Sequence, residues 1–228
     1  MKIRRAFLAF SVGLFLVESA LAQSSRSGVG AIPYADASGT GVTFRTWAPN
    51  ATTVTIKGTF NGWGSTTLSK DTPGGSWNGY WSADVAGARA GQEYKFVVNG
   101  TYKKDPRGTR VVNSAGNSIV YDQAAFDWGS STNFSAIWRN DLVIYEMHAG
   151  SYNAEDWLPS TFDDCADKIA YLKALGVSAV ELMPVSEFPG DRSWGYNPSD
   201  PFAVESSHGG PDALKRFIKT CHENGNAE

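Results

Sequence analysis

From Gly41 onward the chain alternates. "GVTFRTWAPN", residues 41–50, sets Val42, Phe44 and Thr46 against Thr43, Arg45 and Trp47 before Pro49-Asn50 stops it. "TVTIKGTF" sets Val54 and Ile56 against Thr55 and Lys57; "QEYKFVVNG" sets Tyr94, Phe96 and Val98 against Glu93, Lys95 and Val97. A period of two places alternate side chains on opposite faces of a strand, and Gly, Asn and Pro punctuate these runs. The pattern predicts a small antiparallel, immunoglobulin-like β-sandwich ending near "NSIVYD", 117–122. The rhythm then changes. "DLVIYEMH", 141–148, predicts a strand, after which Thr161 and Asp164 form a capping box. The helix it opens carries Phe162, Cys165, Ala166, Ile169, Leu172 and Leu175 as one apolar stripe and ends at Gly176. "VSAVELMPV" predicts a strand buried on both faces. Pro211 and Asp212 open a second helix with Leu214, Phe217, Ile218 and Cys221 at helical spacing. Strand, helix, strand, loop, helix is the start of a parallel α/β fold. Two strands with their helices can neither close a barrel nor fill a doubly wound sheet, so the chain reads as multi-domain and as ending inside its second domain.

The N-terminus changes the compartment. Lys2, Arg4 and Arg5 precede an apolar run from Ala6 to Val17, and Ala20-Leu21-Ala22 follows. This is the pattern of a signal peptide over 1–22, with an apolar run too short to span a bilayer, and it predicts a secreted or periplasmic protein. The expected organisation is then a linker over 23–38, the sandwich over 39–127, a linker over 128–140 and the start of the α/β domain over 141–228.

Charge excludes one class of partner. Twenty-three acidic residues face 20 basic ones, three of the latter lie in the leader, and no basic stripe appears, so neither nucleic acid nor, after cleavage, a membrane is expected. Cys165 and Cys221 are the only cysteines. Both fall on apolar stripes, which favours buried free thiols over a bridge. With no zinc-type spacing, no metal and no cofactor is expected. Aromatics reach 13%, and "RSWGYNPSDPF", 192–202, places Trp194, Tyr196 and Phe202 on a loop shaped by one Gly and two Pro. Aromatics on such a loop either pack or bind.

The segments "DLVIYEMHAGSYN" and "YLKALGVSAVELMPVSEFPGDRSWGYNPSDPFAVESSHGGPDALKRFIKTCHENG" resemble the α-amylase superfamily, glycoside hydrolase family 13, above all its branching-enzyme and trehalohydrolase-like members. The sandwich before them is similar to carbohydrate-binding module family 48. The resemblance implies that the second domain is the first two βα units of an incomplete (β/α)8 barrel. The resemblance implies that Tyr196 stacks on the sugar ring at the cleavage subsite, with Trp194 beside it. It implies retaining chemistry, with a carboxylate nucleophile and a protonated acid/base about 5 Å apart. Those carboxyls, and the transition-state stabiliser, are expected beyond Glu228, so no catalytic residue is expected within this chain. A structural calcium of the full-length enzyme has no evident ligand set here.

In the module, the resemblance points to Trp63, Lys95, Tyr102 and Asn117 as substrate-binding residues, two platforms with an amine and an amide suited to a neutral, hydroxyl-rich glucan. Trp63 also fits a packing role, and Trp77 and Trp81 are assigned to packing. Glu146 and Glu181 lie on consecutive strands but read as structural carboxylates, not a catalytic pair. His148 reads as a packed, hydrogen-bonded residue, His208 as orienting its loop, and His222 as suiting a helix C-terminus. The expected partner is an α-glucan: starch, glycogen or maltooligosaccharides. The leader favours a secreted α-amylase-type hydrolase; a 1,4-α-glucan branching enzyme and a non-catalytic glucan-binding protein are the alternatives. The chain alone is expected to be inactive.

Overall fold

The structure, a computed structural model, describes residues 21–72, 75–135, 137–155 and 157–228. The expected signal peptide lies outside these except for its last two residues.

The first half is the expected sandwich. Its strands are β1 (Gly30–Asp36), β2 (Gly39–Trp47), β3 (Val54–Gly58), β4 (Thr66–Thr67), β5 (Ser69–Lys70), β6 (Tyr80–Ala86), β7 (Glu93–Val98), β8 (Thr101–Lys103) and β9 (Ser118–Ile119). One sheet runs β1-β2-β6-β5; the other runs β4-β3-β7-β8, with β9 also paired to β7. The inward residues of the alternating runs meet between the sheets, where Val42, Phe44, Val54, Ile56, Tyr94 and Phe96 are buried with Leu68 and Trp81. Trp81 sits on β6 and donates its indole N–H to the Ala48 carbonyl, whereas Trp77 lies in the turn before that strand.

One expectation fails here. Residues 23–38 are not a linker: β1 lies within them and pairs antiparallel with β2 from Gly30↔Arg45 to Asp36↔Gly39. The face of β2 turned away from the sandwich core is also covered, for Thr43 and Arg45 are both fully buried. One residue explains both. Arg45 donates Nε to Asp71, Nη1 to the carbonyls of Arg26 and Gly28, and Nη2 to the carbonyl of Ser24. The polar lead-in is thus held by a guanidinium fork instead of by apolar burial. Trp77 covers the guanidinium, with the ring centroid 4.3 Å from its carbon.

The second half begins the barrel: β10 (Ile144–Met147), α1 (Ala149–Tyr152), α2 (Phe162–Ala166), α3 (Ile169–Leu175), β11 (Ala179–Leu182), the hairpin strands β12 (Ser186–Glu187) and β13 (Asp200–Val204), and α4 (Gly210–Glu223). β10 and β11 are parallel neighbours in register Ile144↔Ala179 to Met147↔Leu182. Past α4, Ala227 bridges Ala179 in parallel, where a third strand would start. Helix α2 opens on the expected capping box: Thr161 accepts from the Asp164 N–H, and Asp164 accepts from the Thr161 N–H at 2.8 Å. The single expected helix is split at Asp167–Lys168, and Leu175 is 64% exposed. At 100° per residue Leu175 lies about 140° round from Phe162, off the buried stripe.

Phe162, Cys165, Ile169, Leu172, Phe217 and Cys221 pack with Met147 and Val180 as the second core. Both thiols are free, and burial pushes them up, Cys165 to about 11 and Cys221 to about 12. The expectation that β11 is covered on both faces holds for Ala179 and Val180 but not for Glu181, which is exposed opposite exposed Glu146. That face of the pair is open in this chain. Among the described residues, no helix is long and apolar enough to cross a membrane.

The two halves are bonded to one another. Lys104 of the module pairs with Asp200 of β13, and Arg110 and Tyr121 both reach Asp212 in the first turn of α4, at 3.0 and 2.8 Å. The Arg107 guanidinium covers the Phe202 ring at 4.2 Å.

Candidate functional site

Two surfaces carry the expected residues. The first lies where β10 and β11 end. Met183 N–H donates to the Met147 carbonyl, holding the strand ends level. The next residue, His148, ties the two following loops together: Nε2 donates to the Ser193 carbonyl at 2.8 Å. In that tautomer Nδ1 accepts from the Ser151 hydroxyl, also at 2.8 Å. The aromatic loop is braced again at Gly195, whose φ is +83°. A Cβ there would stand 2.2 Å from the Pro184 carbonyl oxygen, so only glycine lets the loop lie on the end of β11. Ser193 bonds Asn197 and accepts from the Gly195 N–H.

Trp194 and Tyr196 flank that glycine and stand out from it, 71% and 69% exposed. The structure separates them. Trp194 lines a cleft of about 430 Å³ with Trp157, Asp191, Arg192, Ser151 and His148, whereas Tyr196 stands outside it. Trp157 had no signal in the sequence beyond being an aromatic near a Pro.

Behind the loop, two buried glutamates that sequence reasoning missed hold the β12–β13 hairpin. Glu187 accepts from the Ser206 N–H and hydroxyl, and Glu205 accepts from the N–H groups of Phe188 and Ser207. Burial pushes Glu187 up to about 6. His208 packs edge-on against Phe162 and Phe188 and crowds Gly150, so it orients the loops as expected; burial pushes its imidazole down. His222 stacks on Phe134 at 4.3 Å and pairs with Glu228.

The second surface is the outer face of β3-β7-β8. Register places Lys57 opposite Lys95 and Tyr102 opposite Val97, so Glu93, Lys95, Val97 and Tyr102 share one face. Glu93 to Val97 spans about 13 Å of strand. Tyr102 is 53% exposed, with the Lys57 ammonium 5.7 Å from its ring centroid. Among the described residues the Lys95 ammonium makes no hydrogen bond or ion pair. Asn117 sits at the far end of this row and donates its amide to Glu93 at 2.7 Å, so that donor is occupied. Trp63 lies in the turn leaving β3, half-buried, with φ +61°. Asn61 pins the turn, accepting from the Gly58 N–H and donating to Thr66. A tryptophan held in the left-handed region is strained backbone that the surrounding turn imposes.

Among the described residues no three His, Cys, Asp or Glu side chains converge as a metal site. A sandwich with a flat polar-aromatic face is thus joined to parallel strands whose C-terminal loops present aromatics. The comparisons assign a family to each half. Residues 29–122 match the family "Carbohydrate-binding module 48 (Isoamylase N-terminal domain)", and residues 143–226 match "Alpha amylase, catalytic domain". The 1,4-alpha-glucan branching enzyme GlgB of Pseudoalteromonas atlantica is 34% identical over 199 residues, covering 80% of this chain and 27% of that protein. The malto-oligosyltrehalose trehalohydrolase of Saccharolobus solfataricus is 32% identical over 186 residues, covering 81% of this chain and 31% of that protein. A solved putative alpha amylase from Salmonella typhimurium superposes with a TM-score of 0.74 at 33% identity, covering 88% of this chain and 32% of that one. The chain therefore spans about a quarter to a third of the length of these relatives. It belongs to the α-amylase superfamily, glycoside hydrolase family 13, with an N-terminal module of carbohydrate-binding family 48.

Proposed function

We propose that this chain is the α-glucan-engaging front of an exported, retaining α-glucan-active enzyme of the α-amylase type, which cleaves glycosidic bonds of starch or glycogen. The observation that carries the reading is the loop at the C-terminal ends of β10 and β11, where barrel ligands bind, which holds Trp194 and Tyr196 outward on a glycine that no other residue replaces. Tyr196 stacks on the ring at the cleavage subsite, and the row of Lys95 and Tyr102, with Trp63 in the neighbouring turn, holds the polymer. Asn117 contributes through its carbonyl, since its amide serves Glu93. The catalytic carboxyls lie outside this chain. The leader pattern at 1–22 supports export, and the acidic balance supports a neutral polysaccharide over nucleic acid.

A branching enzyme is the second reading, favoured by the identity of this chain to several proteins of that name. The full-length gene product separates the two on soluble starch. Release of reducing ends supports hydrolysis. A fall in iodine absorbance without new reducing ends supports branching. Neither change would overturn the enzymatic reading and leave glucan binding alone.

A further inference from the structure

The lead-in to the sandwich starts on a reactive residue. The leader pattern closes at Ala20-Leu21-Ala22, so cleavage there leaves Gln23 as the first residue of the exported chain. The fold draws a line at the same place. Leu21, Ala22 and Gln23 are exposed, whereas Ser24 is only 5% exposed. Ser24 is held from both sides: its N–H donates to the Ser82 hydroxyl, and its carbonyl accepts from Arg45 Nη2, each at 2.9 Å. Gln23 is not held in that way. Among the described residues its main-chain N–H makes no hydrogen bond, and its side-chain amide meets one partner, the Thr72 hydroxyl, with Oε1 3.0 Å from Oγ1. A hydroxyl donating to Oε1 stabilises the charge that gathers on that oxygen when Cδ is attacked.

We propose that Gln23 is a modification site: once the leader is removed, its α-amine closes on its own side chain, and the mature chain begins with a pyroglutamate that shields the Arg45 fork. This rests on the export reading above and adds to it the chemical state of the new terminus. The free-base amine attacks Cδ. The N–Cδ bond forms, the Cδ–Nε2 bond breaks, and Nε2 leaves as ammonia carrying a proton from the amine. Nothing is oxidised or reduced, and no co-reactant enters. An α-amine titrates near about 8, so part of it is free base at neutral pH. Only Gln23 has to move, because Ser24 keeps both its bonds, and the lactam retains an oxygen on Cδ to accept from Thr72.

What the ring shields follows from the fork. The carbonyls of Ser24, Arg26 and Gly28 accept from Arg45, which is fully buried. Trimming residue by residue from a free amine would remove those acceptors in turn and leave buried guanidinium donors unpaired. A lactam offers an aminopeptidase no amine.

The test expresses the full chain with its leader in an exporting bacterial host and reads the N-terminal peptide by tandem mass spectrometry. The expected peptide begins at residue 23 and is lighter than its unmodified sequence by one ammonia. Pyroglutamate aminopeptidase should then expose Ser24 as the first residue. Gln23→Ala should end in a free amine, lose Ser24 on prolonged digestion with a broad aminopeptidase and afterwards melt lower, while the parent resists. A peptide starting at an intact Gln23 after long incubation in mildly alkaline buffer would overturn the inference and leave the export reading standing. Cleavage at another bond would do the same. A chain that keeps residues 1–22 would overturn the export reading and the inference together. Equal resistance of parent and Gln23→Ala to the aminopeptidase would overturn the shielding.

Discussion

Arg45 shows how much one side chain can hide. Its alternation places it on an outward face, yet it is fully buried and its ion pair with Asp71 is sealed beneath Trp77. Arg45→Met should therefore cost about 3–5 kcal/mol in urea denaturation, because Asp71 is left as an unpaired buried carboxylate; a cost under about 1 kcal/mol would show that the fork is ornamental. A second buried carboxyl gives a pH signature. Burial pushes Asp105 up to about 6, against the bonds it accepts from the Tyr94 hydroxyl and the Arg107 N–H. A raised carboxyl favours the folded state while protonated, so its contribution is present below about pH 4 and lost as pH rises through 6, by up to about 3 kcal/mol. Asp105→Asn should flatten the stability curve between pH 4 and 7. Curves that run parallel for parent and variant would refute that origin. Neither residue was legible as buried in the sequence, since a lone Arg or Asp carries no record of the carbonyls and hydroxyls folded against it.

Elements were legible where apolar periodicity specifies them. β3 and β7 follow their alternation, β2 forms where its alternation runs although both of its faces are buried, β10 and β11 pair in parallel, and the capping box opens α2 as Thr161 and Asp164 require. β1 was not legible, because "GAIPYAD" owes its place to main-chain pairing and the Arg45 fork more than to buried side chains. The break at Asp167–Lys168 was not legible either, since the apolar stripe runs on through it. For the aromatic loop, the glycine and prolines announced a shaped loop, but the cleft beside it joins Trp157 to Trp194 across 37 residues of sequence that no periodicity relates. Gly195 is where this element can be broken. In a chain whose module face is disabled by Tyr102→Ala and Lys95→Ala, Gly195→Ala should abolish the remaining glucan binding at the aromatic loop while lowering stability by only about 1–3 kcal/mol, because the Cβ displaces the loop from Pro184 and leaves both cores untouched. Remaining binding unchanged by Gly195→Ala in that background would mean that the loop position does not matter.

The whole molecule is two cores joined by a polar seam. Asp212 is its hub, accepting from Arg110 and Tyr121 of the module while occupying the first turn of α4, and Lys104–Asp200 forms the second contact. Lys104→Ala with Asp212→Ala should divide one calorimetric transition into two, sandwich and barrel front melting separately; a single transition in the double variant would place the coupling elsewhere. The seam fixes the sheet β3-β7-β8 of the module relative to the barrel strands. The central claim is that this front end engages α-glucan through the outer face of β3-β7-β8. It is tested most directly by electrophoresis of the purified chain through gels with and without glycogen. Retardation by glycogen that disappears in Tyr102→Ala/Lys95→Ala at an unchanged melting temperature is the predicted result, and unretarded migration of the parent chain, or full retardation of the variant, would contradict it.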